Sequence, residues 1–178
     1  LESRSRRTRG QLTALGLCEA YNYDLLSDKM LASCRLSAES QPRVANPLSE
    51  DWAVLRPSLL PGLLKNAQHN LSRGADAARL FEIGKTYALR AQGVDEAWRA
   101  AGVLLGPVLD ARWQPARAPR AGFYDAKAAI EALLEKTGDI VWSKLGVPAA
   151  GRTASDPLFH PANSLRALVN GAAIATVG

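Results

Sequence analysis

Side chains that could carry out catalysis are few in this sequence, and their spacing does not place a nucleophile beside a base. Ser49 and Ser58 each follow a proline closely, as serines in turns and helix caps do, with no histidine–carboxylate pair in the local sequence. His69 lies off the apolar stripe of a predicted helix, so we expect a surface position. His160 precedes Pro161, which holds it extended. We favour a non-catalytic interpretation and predict no catalytic residue.

Phosphate, metal and acid–base motifs are also missing. Gly84-Lys85-Thr86 is like the end of a phosphate loop, but it lacks the upstream glycine and falls in a predicted strand. Cys18 and Cys34 are not paired in a ligand spacing, so we predict free buried thiols and no metal site. Asp125 and Glu131 are too far apart on one helix to face each other as an acid–base pair.

The net charge of +5 over 178 residues is concentrated at the start of the chain. Four arginines stand there against Glu2: Arg4, Arg6, Arg7 and Arg9. They could form a phosphate-contacting arm, but without interleaved aromatic residues the solvated helix face is the favoured interpretation. No apolar run is long enough to span a bilayer, so we expect a cytoplasmic protein without a membrane partner. Because the first residue is Leu1 and not Met, we interpret the chain as an excised fragment.

The elements that must position these residues begin with a predicted helix over Ser3–Leu15, whose apolar side is thin and rests on Leu12 and Leu15. Alternating aromatic and polar residues predict a strand over Leu17–Leu25. Ser27 fits the N-cap of a short helix, Asp28–Ser33.

The best-defined element is a helix that Ser58 would cap, with Pro61 in its first turn and Gly74 at its C-terminal end. One apolar stripe runs along it: Leu60, Leu63, Leu64, Ala67 and Leu71.

Apolar composition predicts strands over Ala78–Leu89 and Arg99–Leu109. A helix over Ala126–Thr137 would be capped by Asp125. The proline-rich connections at 110–121 and 147–157 are expected to be exposed.

Asn170-Gly171 is a strong signal for a tight hairpin turn, which would pair Val169 with Ala172, Ala167 with Ile174 and Leu165 with Thr176. Helices and strands joined by hairpins predict a single α+β domain over residues 1–178, with an antiparallel sheet flanked by helices.

Several of these segments together resemble the catalytic-like module of the bacterial phenylalanyl-tRNA synthetase β subunit. The central ones are Asn46-Pro47-Leu48-Ser49, the block from Leu55 to Leu64, and Phe81-Glu82-Ile83-Gly84. Phe123-Tyr124-Asp125, Phe159-His160-Pro161 and the Asn170-Gly171 hairpin extend the resemblance towards the end of the chain. It implies a class II synthetase-like fold, and for His160 a role in shaping the loop before the hairpin.

In catalytic members of class II, the resemblance implies, arginines bind the α-phosphate and the γ-phosphate end of ATP. A planar, permanently charged guanidinium is suited to that task. Here Leu80–Tyr87 looks like the opening strand of the α-phosphate motif, and the arginine position after it is Ala88. Arg90 lies slightly further along, which leaves the register between Ala88 and Arg90 open. The expectation is a module that does not activate an amino acid and holds no cofactor, with ATP and Mg²⁺ serving the holoenzyme.

The resemblance also implies a partner, the catalytic α subunit, in an (αβ)₂ heterotetramer that attaches phenylalanine to its tRNA. The first helix would then be an assembly surface, with Leu12, Leu15, Arg6 and Arg9 as the interface candidates. Two alternatives stay open. One is a basic module that contacts tRNA or another RNA; the other is a stand-alone ATP-binding enzyme that uses Arg90 or Arg73.

Overall fold

The computed structural model describes residues 2–108, 119–145, 157–160 and 162–178. They form two compact units, Gly16–Val103 and the combination of Leu1–Leu15 with Leu104–Gly178, which we call the central unit and the terminal unit. Most of the connections predicted at 110–121 and 147–157 lies outside the described residues. The single domain expected over residues 1–178 stays a prediction.

The central unit is built around a three-stranded sheet, β1 (Cys18–Glu19), β4 (Ala78–Arg90) and β5 (Gly93–Leu105), in the order β1-β4-β5. β1 pairs in parallel with β4. β4 and β5 are joined by a two-residue turn, which leaves no room for the crossover that parallel strands need, so they form an antiparallel hairpin. The remaining elements are β2 (Leu25–Leu26), α2 (Asp28–Ser33), β3 (Val54–Leu55), α3 (Leu60–Ser72) and the 3₁₀ turn η1 (Glu50–Trp52).

Two strand predictions in this unit were wrong in extent. The stretch Leu17–Leu25 is not one strand: pairing stops after Glu19 and resumes only at β2. Between β1 and β2 the backbone is held by hydrogen bonds to buried side chains, described below, and not by pairing with a neighbouring strand. β5 begins at Gly93, well before the predicted Arg99. The prediction missed this start because the first residues of the strand, at the hairpin tip, are largely polar.

Helix α3 packs one side against β4, as the apolar stripe predicted for part of its length. Leu63 and Ala67 are fully buried, whereas Leu64 and Leu71 are 44% and 42% exposed, so the stripe is narrower than predicted. Pro61 does lie in the first turn, and Gly74 follows the helix with φ of 86°, the left-handed conformation expected of a C-terminal cap. Ser58 accepts a hydrogen bond from the Leu60 N–H at 3.2 Å, but the N-cap position itself is Leu59.

In the terminal unit, α1 (Glu2–Ala14) and α4 (Phe123–Leu134) lie together, and Gln11 Nε2 donates to the Ala132 carbonyl at 3.2 Å. α4 also lies against the sheet β6 (Ile140–Lys144), β7 (Leu165–Val169), β8 (Ala172–Val177), which is antiparallel throughout. β6 was not predicted.

The Asn170-Gly171 turn is confirmed, with φ positive at both residues as a type I′ turn requires. Val169 pairs with Ala172 as predicted, but a bulge then shifts the register, so that Ala167 pairs with Ala175 and Leu165 with Val177. The predicted partners Ile174 and Thr176 were therefore wrong. Ile174 is the extra residue at this bulge, and its side chain is half exposed.

The predicted N-cap of α2 is confirmed, whereas the N-cap of α4, like that of α3, lies at a different residue from the one predicted. Ser27 caps α2 as predicted, and its hydroxyl accepts from the Met30 N–H at 3.1 Å. Asp125 is not the N-cap of α4, because the helix begins earlier; its carboxylate instead accepts from the N–H of Gly122, the true N-cap, at 2.8 Å. No helix within the described residues is both long and apolar enough to cross a membrane.

Candidate functional site

A buried ion pair, Arg56 with Glu82, is the most unusual feature of the central unit. Arg56 follows β3, and Pro57 after it keeps its backbone extended, so its side chain leaves the end of the strand towards β4. Glu82 lies within β4 between the apolar residues Phe81 and Ile83. The two residues are 4% and 1% exposed. Charged groups this deep must be paired, and the partners decide what the site can do.

Every edge of the Arg56 guanidinium is engaged. Nη1 donates to Glu82 Oε1 at 2.6 Å, Nη2 contacts Asp24 Oδ1 at 2.7 Å, and Nε donates to the Lys85 carbonyl at 2.9 Å. Nη1 also approaches the Asn22 carbonyl at 3.5 Å. One guanidinium therefore bridges two carboxylates and the β4 backbone.

Glu82 is held from its other side by Asn22. The Asn22 side chain donates through Nδ2 to Glu82 Oε2 at 2.8 Å, and its backbone N–H donates to Oε1 at 3.3 Å. Asn66 of α3 completes the chain, donating from Nδ2 to Asn22 Oδ1 at 3.0 Å. The arrangement, which we call the Arg56 network, links the segment after β1 to both α3 and β4.

Tyr87 extends this network to the surface. Its hydroxyl donates to Asp24 Oδ2 at 2.9 Å, while Asp24 Oδ1 holds Arg56. Burial of the phenol, with the hydrogen bond to Asp24 and that residue's charge, raises the pKa of Tyr87 to about 12. The Tyr87 hydroxyl therefore keeps its proton at physiological pH, and it serves as a structural hydrogen-bond donor to Asp24.

Two glycines make room for the network. A Cβ at Gly84 would collide with Arg56 Nη2, and a Cβ at Gly62 of α3 would lie 2.9 Å from the Asn22 side chain. Close approach of side chain to backbone, and not a turn, requires glycine at both positions.

The Arg56 network carries one positive and two negative charges, so its net charge is negative. With its guanidinium donors directed at oxygen acceptors of the protein, it offers a phosphate group no cation. Such an arrangement can fix backbone positions, but it cannot neutralise the charge that develops in phosphoryl or adenylyl transfer.

The residues predicted around this site lie as follows. Ala88 is on β4 and partly buried; its side chain is a methyl group. Arg90 is exposed at the end of β4, where Nε is 4.0 Å from Asp95 Oδ2, and Arg73 is exposed at the end of α3. The structure does not bring Arg73 or Arg90 into the Arg56 network.

The assembly candidates on α1 differ in exposure. Leu12 is 5% exposed, so its side chain is already buried in this chain, whereas Leu15 is 41% exposed. Arg6 is exposed and pairs with Glu2 at 3.6 Å on the same helix, and Arg9 is exposed.

The other candidates lie in structural positions. His160 Nδ1 accepts from the Ala162 and Asn163 N–H groups at 3.2 and 3.3 Å, and the His160 carbonyl accepts from Ser164 Oγ at 2.5 Å, a geometry that organises the loop before β7. His69 is exposed. Both thiols are free, but Cys18 is exposed and Cys34 is only partly buried, so the expectation of buried thiols was wrong for Cys18 and holds only in part for Cys34. Among the described residues no group of metal-ligating side chains has the number needed for an ion.

Sequence reasoning missed the Arg56 network as a site. A signal was present, because Glu82 interrupts a strand of large apolar residues and a buried carboxylate there needs a cation. The distance in sequence to Asn22, Asp24 and Arg56 gave no means of choosing the partners.

Comparisons with known proteins point to the same synthetase family that the sequence motifs resemble. The family model described as "Phenylalanyl tRNA synthetase beta chain CLM domain" matches residues 1–178. A phenylalanine–tRNA ligase beta subunit from Novosphingobium aromaticivorans is 41% identical over 160 residues, covering 89% of this chain and 19% of that protein. The corresponding subunit from Anaeromyxobacter dehalogenans is 38% identical over 182 residues, covering 97% and 21%. The chain thus spans about a fifth of the length of these relatives.

Among solved structures, a pyrrolysyl-tRNA synthetase from Desulfitobacterium hafniense superposes with a TM-score of 0.67 at 16% identity, over 98% of this chain and 54% of that one. At this identity the likeness shows the fold alone, which is the α+β fold of class II aminoacyl-tRNA synthetases.

Proposed function

Because this chain belongs to the phenylalanyl-tRNA synthetase beta chain CLM domain family, we propose that it is a non-catalytic module that scaffolds the catalytic α subunit. The complete enzyme would be an (αβ)₂ heterotetramer in the cytoplasm that joins phenylalanine to its tRNA with ATP. In that assembly the module contributes shape and surface, and the α subunit contributes the chemistry.

The single observation that carries the non-catalytic half of the proposal is the commitment of Arg56 to two carboxylates. It contacts Glu82 at 2.6 Å and Asp24 at 2.7 Å. ATP with Mg²⁺ does not fit this arrangement, since the triphosphate would meet a net negative network and a methyl group at Ala88. ATP and Mg²⁺ are therefore assigned to the holoenzyme.

Helix α1 supports the scaffolding half. It is polar over most of its surface, and a helix of 13 residues gains little stability in water without packing of an apolar face. Its exposed arginines and the exposed Leu15 provide the charged and apolar groups of an interface. Leu12 would act indirectly, by fixing α1 on its own chain.

Pull-down of the complete β subunit by the α subunit tests the scaffolding role. Leu15→Asp combined with Arg6→Glu should weaken the complex, because a charge enters the interface and another is reversed. The matched control is Leu71→Asp, which places the same charge at a leucine of nearly equal exposure on α3. Equal loss in the two variants, or loss in neither, contradicts a docking role for α1.

Calorimetry of the chain with ATP and Mg²⁺ tests the non-catalytic role. We expect no binding at micromolar nucleotide. Micromolar affinity that Arg90→Ala or Arg73→Ala abolishes would favour the stand-alone enzyme instead. Binding to tRNA without the α subunit, with the steep salt dependence of phosphate contacts, would establish the basic RNA module.

A further inference from the structure

The turn between β7 and β8 contains the one asparagine in this sequence that glycine follows, Asn170-Gly171. Both residues are exposed, and the Asn170 side chain forms no hydrogen bond with any described residue. The Gly171 N–H has no partner in the described part of the chain either. Because glycine has no Cβ to shield its nitrogen, that nitrogen is the least hindered nucleophile that can stand beside an asparagine amide. The two groups of an intramolecular reaction are therefore neighbours on the surface.

This reaction is the loss of ammonia from the Asn170 side chain. The Gly171 nitrogen attacks Asn170 Cγ, its proton passes to the leaving nitrogen, and ammonia departs as the Cγ–Nδ2 bond breaks. A succinimide ring remains. Water then opens the ring at one of its carbonyls, which gives aspartate or isoaspartate. In isoaspartate the main chain runs through Cβ and Cγ, so it is longer by one carbon.

The closed turn holds the reacting groups in the wrong geometry. Asn170 has φ of 51° and Gly171 has φ of 77°, as in a type I′ turn. At the typical left-handed ψ of about +47°, the Gly171 nitrogen lies on the opposite side of the Cα–C bond from Asn170 Cβ. Ring closure requires the nitrogen and Cβ on the same side, because attack proceeds only when the reacting atoms are close and aligned. The Asn170 ψ angle must therefore rotate by roughly half a turn before the nitrogen can reach Cγ.

The flanking strands resist that rotation. Val169 pairs with Ala172 directly across the turn, and on its other side Val169 pairs with Ile140 of β6. The Val169 side chain is 6% exposed and is packed closely, since a Cβ at Gly138 would lie 3.4 Å from Val169 Cγ1. Rotation at Asn170 breaks the Val169–Ala172 pair and disturbs this packing. The hairpin must therefore open locally before the amide can react.

We propose that Asn170 is a deamidation site that the closed β7–β8 turn protects and that opening of the hairpin exposes. Because the loss of ammonia is irreversible, the product records past opening. Aspartate still allows the turn, since Asp-Gly also forms type I′ turns. Isoaspartate does not, because its extra main-chain carbon lengthens a two-residue turn and displaces Ala172 from Val169. The modification thus converts a transient opening into a lasting one, and it does not depend on binding of the α subunit.

Peptide mass spectrometry of the complete β subunit tests the protection. The subunit is incubated at mildly alkaline pH, either folded or in guanidinium chloride, and the mass gain of one dalton at Asn170 is followed with time. The folded subunit should react roughly tenfold more slowly or less, since the hairpin must first open. In denaturant, Asn170 should react faster than Asn163, an exposed asparagine that serine follows. Equal Asn170 rates in the two states overturn the protection, and an equally fast Asn163 overturns the choice of site.

A matched pair of valine variants tests the role of opening. Val169→Ala should speed the reaction in the folded subunit by roughly tenfold, because truncation of a buried side chain beside the turn favours opening. Val141→Ala is the control, because Val141 lies in the same sheet but is 61% exposed, and its rate should stay unchanged. Circular dichroism confirms that both variants are folded. A Val169→Ala rate that matches the control, or an acceleration that is equally large in denaturant, contradicts opening as the controlling step.

The isoaspartate product is detected by an isoaspartyl carboxyl methyltransferase with labelled S-adenosylmethionine. Label should accumulate with age on the peptide that contains position 170 and should be missing from that peptide in Asn170→Gln. Label that appears only elsewhere overturns the site. The isoaspartyl form, separated by chromatography, should melt at a lower temperature than Asn170→Asp, which represents the product that keeps the turn. Equal melting temperatures contradict a lasting opening of the hairpin.

Discussion

Removing the charge of Glu82 is the sharpest test of the Arg56 network. Glu82→Gln keeps the size of the side chain but replaces one carboxylate oxygen by an amide that donates hydrogen bonds. Its neighbours Arg56 and Asn22 both direct N–H groups at this position. The variant therefore loses a charge and also places a donor against a donor.

The expected loss of stability follows from burial. Breaking a buried ion pair by removing one partner destabilises a protein by about 3–5 kcal/mol. Asp24 still pairs with Arg56, so the lower end of that range, about 3 kcal/mol, is expected. A loss of that size is a large part of the roughly 5–15 kcal/mol by which a domain is stable.

Glu96→Gln is the matched control, because Glu96 makes the same kind of ion pair, with Lys85 at 2.6 Å, between side chains that are 40% and 50% exposed. An exposed pair contributes about 0–1 kcal/mol. Urea unfolding followed by circular dichroism gives both free energies of unfolding. Equal losses for the two variants would falsify the assignment of Glu82 as a buried charge that Arg56 must compensate.

Three further outcomes follow from the same contacts. Gly84→Ala should destabilise the central unit by about 1–3 kcal/mol, because its methyl group displaces a guanidinium that two carboxylates hold; full stability in urea unfolding would contradict that contact. The raised pKa of Tyr87 means that the fold favours the neutral phenol. Its contribution to stability is thus complete below pH about 10 and is lost as pH rises towards about 12, a decline that urea unfolding should show to be smaller in Tyr87→Phe. Asp125→Ala should lower the free energy of unfolding by about 1 kcal/mol, because the hydrogen bond to the Gly122 N–H is lost, and the melting temperature should fall slightly as a result. Asp125→Asn should recover most of that loss. An unchanged melting temperature in Asp125→Ala refutes the cap.

Local signals in the sequence predicted the helices well. The Ser27 cap, Pro61 and Gly74 fix helix ends through contacts within a few residues, and all three lie as expected. Strand predictions were weaker where the partner is distant. The bulge after Ala167 and the early start of β5 depend on pairing that no local pattern encodes.

In the candidate site too, local signals could be recognised in the sequence, whereas contacts between distant residues could not. The motif containing Glu82 was recognised as a signature, yet its physical role depends on Asn22 and Arg56, which come from separate segments of the chain. Tyr21 and Tyr23 fitted an alternating strand pattern equally well, because alternation records which side chains point inward and not what holds the backbone. Here the backbone is held by side-chain hydrogen bonds instead of a neighbouring strand.

The Arg56 network also sets a lower limit on the energy that a phosphate group must supply in order to bind at Arg56. A phosphate could use this guanidinium only if Arg56 gave up Glu82 and Asp24, and a hydrogen bond to a charged group contributes about 1.5–3 kcal/mol. Loss of both therefore costs about 3–6 kcal/mol, which lowers affinity by roughly 10²- to 10⁴-fold before the repulsion of the two released carboxylates is counted. Adding an arginine at Ala88 alone would not overcome that repulsion, since the new cation would itself be drawn to the carboxylates. A working phosphate site would require the acidic side of the network to change as well, and those same residues hold the backbone of the segment that follows β1.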